Sequence, residues 1–148
     1  ADKVSHVFSE GISSLTLNLE KAYTEAAHVD KWQRTIVLDR EYNWVEVTEQ
    51  YKLDSLQIEK DRLNGQVFDN QIILMAFGKP VVQKTGRILL QGGNVRLEYD
   101  AQYLSASVEK VQMTDGIMKT QWKDNVYRII LRLNDNYPMA KVKYRFVK

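Results

Sequence analysis

Cysteine is absent from this 148-residue chain, which excludes a disulfide framework, a thiolate zinc site and a thiol nucleophile together. The absence leaves the compartment open, since a disulfide-free protein folds under oxidising and reducing conditions alike. Histidine is scarce: His6 and His28 stand 22 positions apart, each without a neighbour at metal-ligand spacing. No charge sign dominates, with 21 Lys and Arg against 19 Asp and Glu and a net charge of +2. That balance excludes a strongly basic nucleic-acid domain and an acidic disordered tail. The longest apolar run, Ile72 to Phe77, falls far short of the ~20 residues of a membrane-spanning helix. No nucleophile elbow, phosphate loop or dinucleotide fingerprint occurs, because Gly92-Gly93 has the spacing of a turn and of neither loop. The chain opens on Ala1 with no charged-then-apolar leader, which we read as the start of a mature or excised piece.

What the chain has is alternation. Its hydrophobic share of 44% is enough for one core, and its length fits one domain over 1–148. Leu15, Leu17 and Leu19 alternate with Thr16 and Asn18, the period of a half-buried strand. Trp32 to Asp39 and Trp44 to Leu53 alternate likewise around the polar Arg40-Glu-Tyr-Asn43, so they predict a hairpin. Ile72 to Phe77 is apolar on both faces and predicts a strand covered on both sides. Gly86 to Gln91 and Asn94 to Asp100 flank Gly92-Gly93 as a second hairpin. Leu104, Ala106 and Val108 share a face of a further strand, and Val126 to Leu133 and Ala140 to Val147 close the chain around the turn-rich Asn134 to Pro138. Strands joined by short turns predict an all-β, antiparallel β-sandwich built from meander hairpins, with at least seven strands and no helix beyond about three turns. Two stretches differ. Glu20 to His28 is Ala-rich and predicts a helical turn; Asp54 to Arg62, with Gln57 three residues after Asp54, stays open between loop, strand extension and short helix.

The carboxylates mostly alternate with apolar residues on strands, as on a solvated face, and no pair of them stands out as acid and base. Three groups of residues are candidates for binding. Lys141, Lys143 and Arg145 point to one side of the last strand, and Arg128 and Arg132 share a face of the strand before it. Paired as a hairpin, those two strands would join all five into a basic strip for a polyanion; the competing reading is a wet sheet face. Tyr42 and Trp44 sit at a hairpin turn, where aromatic rings either stack on sugars or pack the core edge. Trp122, in the loop Lys119 to Asn125, is either a ligand contact or a hydrophobic lid pinning that loop.

Several stretches together carry a family resemblance. They are Leu19-Glu-Lys-Ala-Tyr23, Trp32-Gln-Arg-Thr-Ile-Val-Leu-Asp-Arg40, Val45-Glu-Val-Thr-Glu-Gln-Tyr-Lys-Leu53 and Leu89-Leu-Gln-Gly-Gly-Asn-Val-Arg-Leu-Glu-Tyr-Asp100, then Val108-Glu-Lys-Val111, and Trp122 followed by Tyr127-Arg-Ile-Ile130. In this order they resemble the C-terminal β-rich region of bacterial heparinase II/III-like polysaccharide lyases, over most of the chain, with Asp54 to Asn70 the poorest match. In that family an α-helical toroid precedes the β-sandwich and the substrate cleft lies between them. The lyases cleave acidic polysaccharides by β-elimination, and the catalytic tyrosine and a histidine belong to the toroid. A histidine-containing segment early in the sandwich adds further groups, but no motif around His6 matches it, so no role is carried onto His6.

The resemblance implies a non-catalytic C-terminal domain that supports the toroid of a larger lyase. The upstream helical domain would be its partner and an acidic polysaccharide a second one, with neither nucleic acid nor a membrane span. It implies a periplasmic or secreted location, no cofactor in this chain, and room for a structural metal in the parent. Two other readings stand beside it: the chain as a lyase in its own right, against which the missing acid–base cluster counts, and the chain as an independent carbohydrate-binding module.

Overall fold

A computed structural model of the chain describes residues 1–65, 69–83, 86–90, 94–135 and 137–148. Strands dominate it. In chain order they are β1 (Val4–Phe8), β2 (Ile12–Asn18), β3 (Val29–Asp39), β4 (Trp44–Leu53), β5 (Gln71–Ala76), β6 (Val81–Gln83), β7 (Arg87–Leu89), β8 (Arg96–Tyr99), β9 (Leu104–Gln112), β10 (Asn125–Leu133) and β11 (Met139–Val147). Among the described residues there are also two short α-helices, α1 (Ser55–Leu63) and α2 (Gly116–Trp122). The protein is all-β, with antiparallel ladders at β1–β2, β2–β3, β3–β4, β6–β7, β7–β8, β5–β10 and β9–β10. It divides into two compact units, Ala1–Asp69 with Asp135–Arg145 and Asn70–Asn134 with Phe146–Lys148.

In the first unit the strand order is β1-β2-β3-β4-β11. The β3–β4 hairpin turns through Arg40 to Asn43, where Asn43 takes a positive φ of 53° and the Asp39 carboxylate accepts from the Tyr42 N–H at 2.9 Å. Both features are what a short polar turn between strands requires. The register pairs Trp32 with Tyr51, Arg34 with Glu49 and Ile36 with Val47, so these share a face. That face is the buried one: Trp32, Val47, Tyr51 and Leu53 form its core with Val142 and Tyr144 of β11. Glu20 to His28 forms two short 3-10 turns, Glu20–Ala22 and Glu25–Ala27, and His28 closes the second with φ 51°. Asp54 to Arg62 resolves to α1. The Asp54 side chain caps it by accepting from the Leu56 and Gln57 amides at 3.0 and 3.2 Å. No residue of α1 is buried, which is why its apolar residues carry no helical stripe.

In the second unit β5-β10-β9 form one sheet and β8-β7-β6 lie side by side. Its core holds Ile72, Ile88, Leu97, Leu104, Val126, Ile129, Ile130, Leu131 and Leu133. The hairpin of β7 and β8 is present, pairing Arg87 with Glu98 and Leu89 with Arg96; its predicted turn glycines, Gly92 and Gly93, lie outside the described residues. Gly86 leads into β7 with φ +74°, and a Cβ there would run into the Tyr99 carbonyl oxygen. Only glycine fits such an approach.

Three expectations need correction. The strand at Ile72 to Phe77 is not covered on both faces: Ile72 is buried, but the alternate residues Ile73 and Met75 are 50% and 58% exposed. A continuous apolar run marks a fully buried strand only when a layer packs on each face of its sheet. The strands β10 and β11 do not pair as a hairpin. β10 spends both its edges on β5 and β9, and β11 lies beside β4 in the other sheet, so no five-residue basic strip forms. Lys119 to Asn125 is not a loop throughout, since Trp122 ends α2 and Lys123 turns the chain out with φ 60°.

Candidate functional site

The outward face of the first unit's sheet follows from the same alternation that builds its core. Positions 33 and 35 of β3 face away from the core and pair with 50 and 48 of β4. On the other side they pair with 18 and 16 of β2. The result is two polar rows across three strands, Asn18–Gln33–Gln50 and Thr16–Thr35–Thr48. Gln33 Nε2 donates to Asn18 Oδ1, and the Thr16 and Thr35 hydroxyls meet, each at 3.2 Å. Lys141 and Lys143 of β11 join this face, and with Gln33, Thr35, Thr48 and Gln50 they line a cavity of about 160 Å³. The threonines are shorter than the glutamines and lysines around them, and this difference in length makes the depression.

One end of the face is charged. Glu46 Oε1 accepts from Lys143 Nζ at 2.9 Å and Oε2 from Arg145 at 2.7 Å. Burial works against the Glu46 charge, but these two hydrogen bonds outweigh it and hold its carboxyl below the usual carboxylate range. The Arg145 guanidinium lies over the Trp44 ring, 4.5 Å from its centroid, a cation–π contact. Four of the sequence candidates, Trp44, Lys141, Lys143 and Arg145, therefore share one face. Tyr42 is exposed in the turn leading into β4. The other three belong to the second unit. Trp122 is 43% exposed on α2; Arg128 is paired with Glu109, and Arg132 is exposed on β10.

The opposite face carries a cluster that the sequence reading missed. Glu49 was expected on a solvated face, yet it is 0% exposed. Its carboxylate accepts from Trp32 Nε1 at 2.8 Å, Arg34 Nε at 2.6 Å and the Tyr144 hydroxyl at 3.4 Å. Tyr23 stacks on Trp32, and Trp32 on Tyr51, at 5.1 Å each. The signal was present in the sequence: Glu49 falls in phase with Val47 and Tyr51, not with Glu46 and Thr48. Burial, then the neighbouring Glu49 charge, pushes the Tyr144 hydroxyl up to about 12 and raises that of Tyr23. Through this carboxylate Trp32 and Arg34 of β3, Glu49 of β4 and Tyr144 of β11 are tied together across the sheet.

Among the described residues no group of three His, Cys, Asp or Glu is placed to hold a metal. His28 Nε2 meets Asp61 at 2.9 Å, and the His6 ring lies beside Phe8. No helix among the described residues is long and apolar enough to cross a membrane.

No protein-family model matches the chain. No curated protein sequence matches it either. Among solved structures it is similar to the heparan sulfate lyase HepC from Pedobacter heparinus, at 11% identity and a TM-score of 0.59 over 98% of this chain. The match spans 21% of the lyase chain. The all-β, sandwich-like architecture of this protein is thus that of about a fifth of a heparan sulfate lyase, a likeness of fold.

Proposed function

We propose that the chain is a non-catalytic β-sandwich domain of a heparinase II/III-like polysaccharide lyase, whose parent cleaves uronate-containing acidic polysaccharide by β-elimination. The observation that carries this reading is the fold match, which takes in nearly the whole of this chain and a minor part of a lyase. Apolar surface supports it: Ile73, Met75 and Phe77 are exposed on and beside edge strand β5, and exposed apolar patches mark docking faces. In this reading they contact an upstream α-helical catalytic domain. The paired, buried state of Glu49 and Tyr144 also favours a non-catalytic role. The proposal includes a periplasmic or secreted location in a bacterium, no cofactor in this chain, and any structural metal in the parent.

Lyase turnover releases an unsaturated uronate that absorbs in the ultraviolet. The pure 148-residue chain is expected to give a flat absorbance trace with heparin, heparan sulfate and alginate. Sustained growth of absorbance, abolished by Tyr23→Phe or Tyr144→Phe, would overturn the reading. A second reading, an independent carbohydrate-binding module, is favoured by the polar face of β3, β4 and β11, where Trp44 and three basic residues meet.

A further inference from the structure

We infer that the cavity between β3, β4 and β11 is a subsite for one anionic substituent, carboxylate or sulfate, of an acidic oligosaccharide lying along the outward sheet face. The inference rests on the polysaccharide-lyase reading for its ligand class and deepens it by naming where this chain holds the glycan.

Charge is the first argument. Glu46 bonds Lys143 and Arg145 on this face. Lys141 has no acidic partner among the described residues, and Lys143 keeps two of its three donors beyond Glu46. The cavity lining holds two cations, Lys141 and Lys143, and no carboxylate among the described residues, so the cavity itself is net positive; alternate residues on a strand set the two ammonium groups on the same side, with backbones about 7 Å apart.

The cavity floor is the second. Thr35 and Thr48 offer hydroxyls and Gln33 and Gln50 offer carboxamides, groups that both donate and accept. An anion takes their donors; the hydroxyls of the sugar bearing it use both. At about 160 Å³ the space is below the ~300–1,000 Å³ of a pocket that engulfs a small molecule, which suits one substituent and leaves the ring outside. Single-stranded nucleic acid fits less well, because it needs open aromatic platforms, and one face of Trp44 is taken by Arg145.

The test titrates the full chain by calorimetry with three oligosaccharides: a sulfated uronate-containing one, an unsulfated uronate-containing one and neutral dextran. Binding of at least one acidic ligand and none of dextran is expected, and which acidic ligand binds distinguishes sulfate from carboxylate. Affinity should drop at least tenfold in Lys141→Gln/Lys143→Gln and severalfold in Thr35→Val/Thr48→Val, while Arg128→Gln on the other sheet leaves it unchanged. Circular dichroism confirms that each variant is folded, and a Lys141→Arg variant retains binding if the fold and charge are intact. Binding should also weaken as salt rises, since exposed charges are screened over ~8 Å at physiological ionic strength. Equal affinity for dextran, no binding of either acidic ligand, or affinity indifferent to the lysine pair overturns the inference. A silent titration with a flat absorbance trace removes the subsite and leaves the domain reading standing; turnover by the isolated chain removes the non-catalytic reading whatever the titration shows.

Discussion

Glu49 shows how much one residue depends on its partners. A fully buried carboxylate is costly unless paired and hydrogen-bonded, and Trp32, Arg34 and Tyr144 supply three donors. Removing it leaves Arg34 without its counter-charge and the indole N–H without an acceptor. Glu49→Ala is therefore expected to lower stability by about 3 kcal/mol, the low end for a broken buried pair because Arg34 is part-exposed. Urea denaturation reads it, and a midpoint unchanged from the parent would refute it. Tyr144 adds a pH dependence. Its hydroxyl is pushed up to about 12 when folded against ~10 when unfolded. A raised value means that the stabilising effect is complete below pH 10 and is lost as pH rises from 10 towards 12. Thermal unfolding should thus fall across that window, and fall less steeply in Tyr144→Phe. Equal slopes in both proteins would show that another group carries the effect.

Among the elements, α1 and β5 were read only in part from sequence, for different reasons. The helix α1 has a capping aspartate but buries nothing, so no apolar period announces it. Asp54→Ala should cost that helix about 1 kcal/mol. Because no residue of α1 is buried, the loss stays local: amide exchange at Leu56 and Gln57 should quicken while the global denaturation midpoint holds. A shifted midpoint would mean α1 unfolds with the rest. Strand β5 was found by its apolar run, yet that run misled on its surroundings. Ile73 and Met75 sit on the exposed face of the strand, and a run of residues cannot record whether a second layer packs on that face. The β3–β4 hairpin was fully legible, because alternation, polar turn and register all point to the same structure.

For the whole molecule, the exposed apolar residues of β5 are the place where the domain reading can be tested. Ile73→Glu/Met75→Glu in the isolated chain should change stability by under about 1 kcal/mol, as exposed substitutions do. Within a parent lyase the same pair is expected to weaken docking of the helical domain and lower activity. A parent indifferent to both substitutions would remove β5 from the bracing role. Acid should act on the opposite feature, the charged end of the polar face. Glu46 is held below its usual range, so its stabilising contribution is present above about pH 4.5 and is lost as pH falls. Thermal unfolding followed downward from pH 5 should show that loss in the parent chain and not in Glu46→Gln.

The local grammar of the chain determined its class: period-two alternation, turn residues at hairpins and the absence of cysteine suffice for an all-β fold without cross-links. They also set which residues share a strand face, so Lys141, Lys143 and Arg145 were grouped correctly. Pairing of strands is a different matter, because it depends on which edges remain free once the other ladders form. Only the tertiary structure placed β11 beside β4 and gave β10 to β5 and β9. That choice separated Arg128 and Arg132 from the three basic residues and set Gln33, Thr35, Thr48 and Gln50 beside the lysines instead. Strand faces are a property of neighbouring residues along the chain; a binding face is assembled across strands distant in sequence, through contacts that no local pattern encodes.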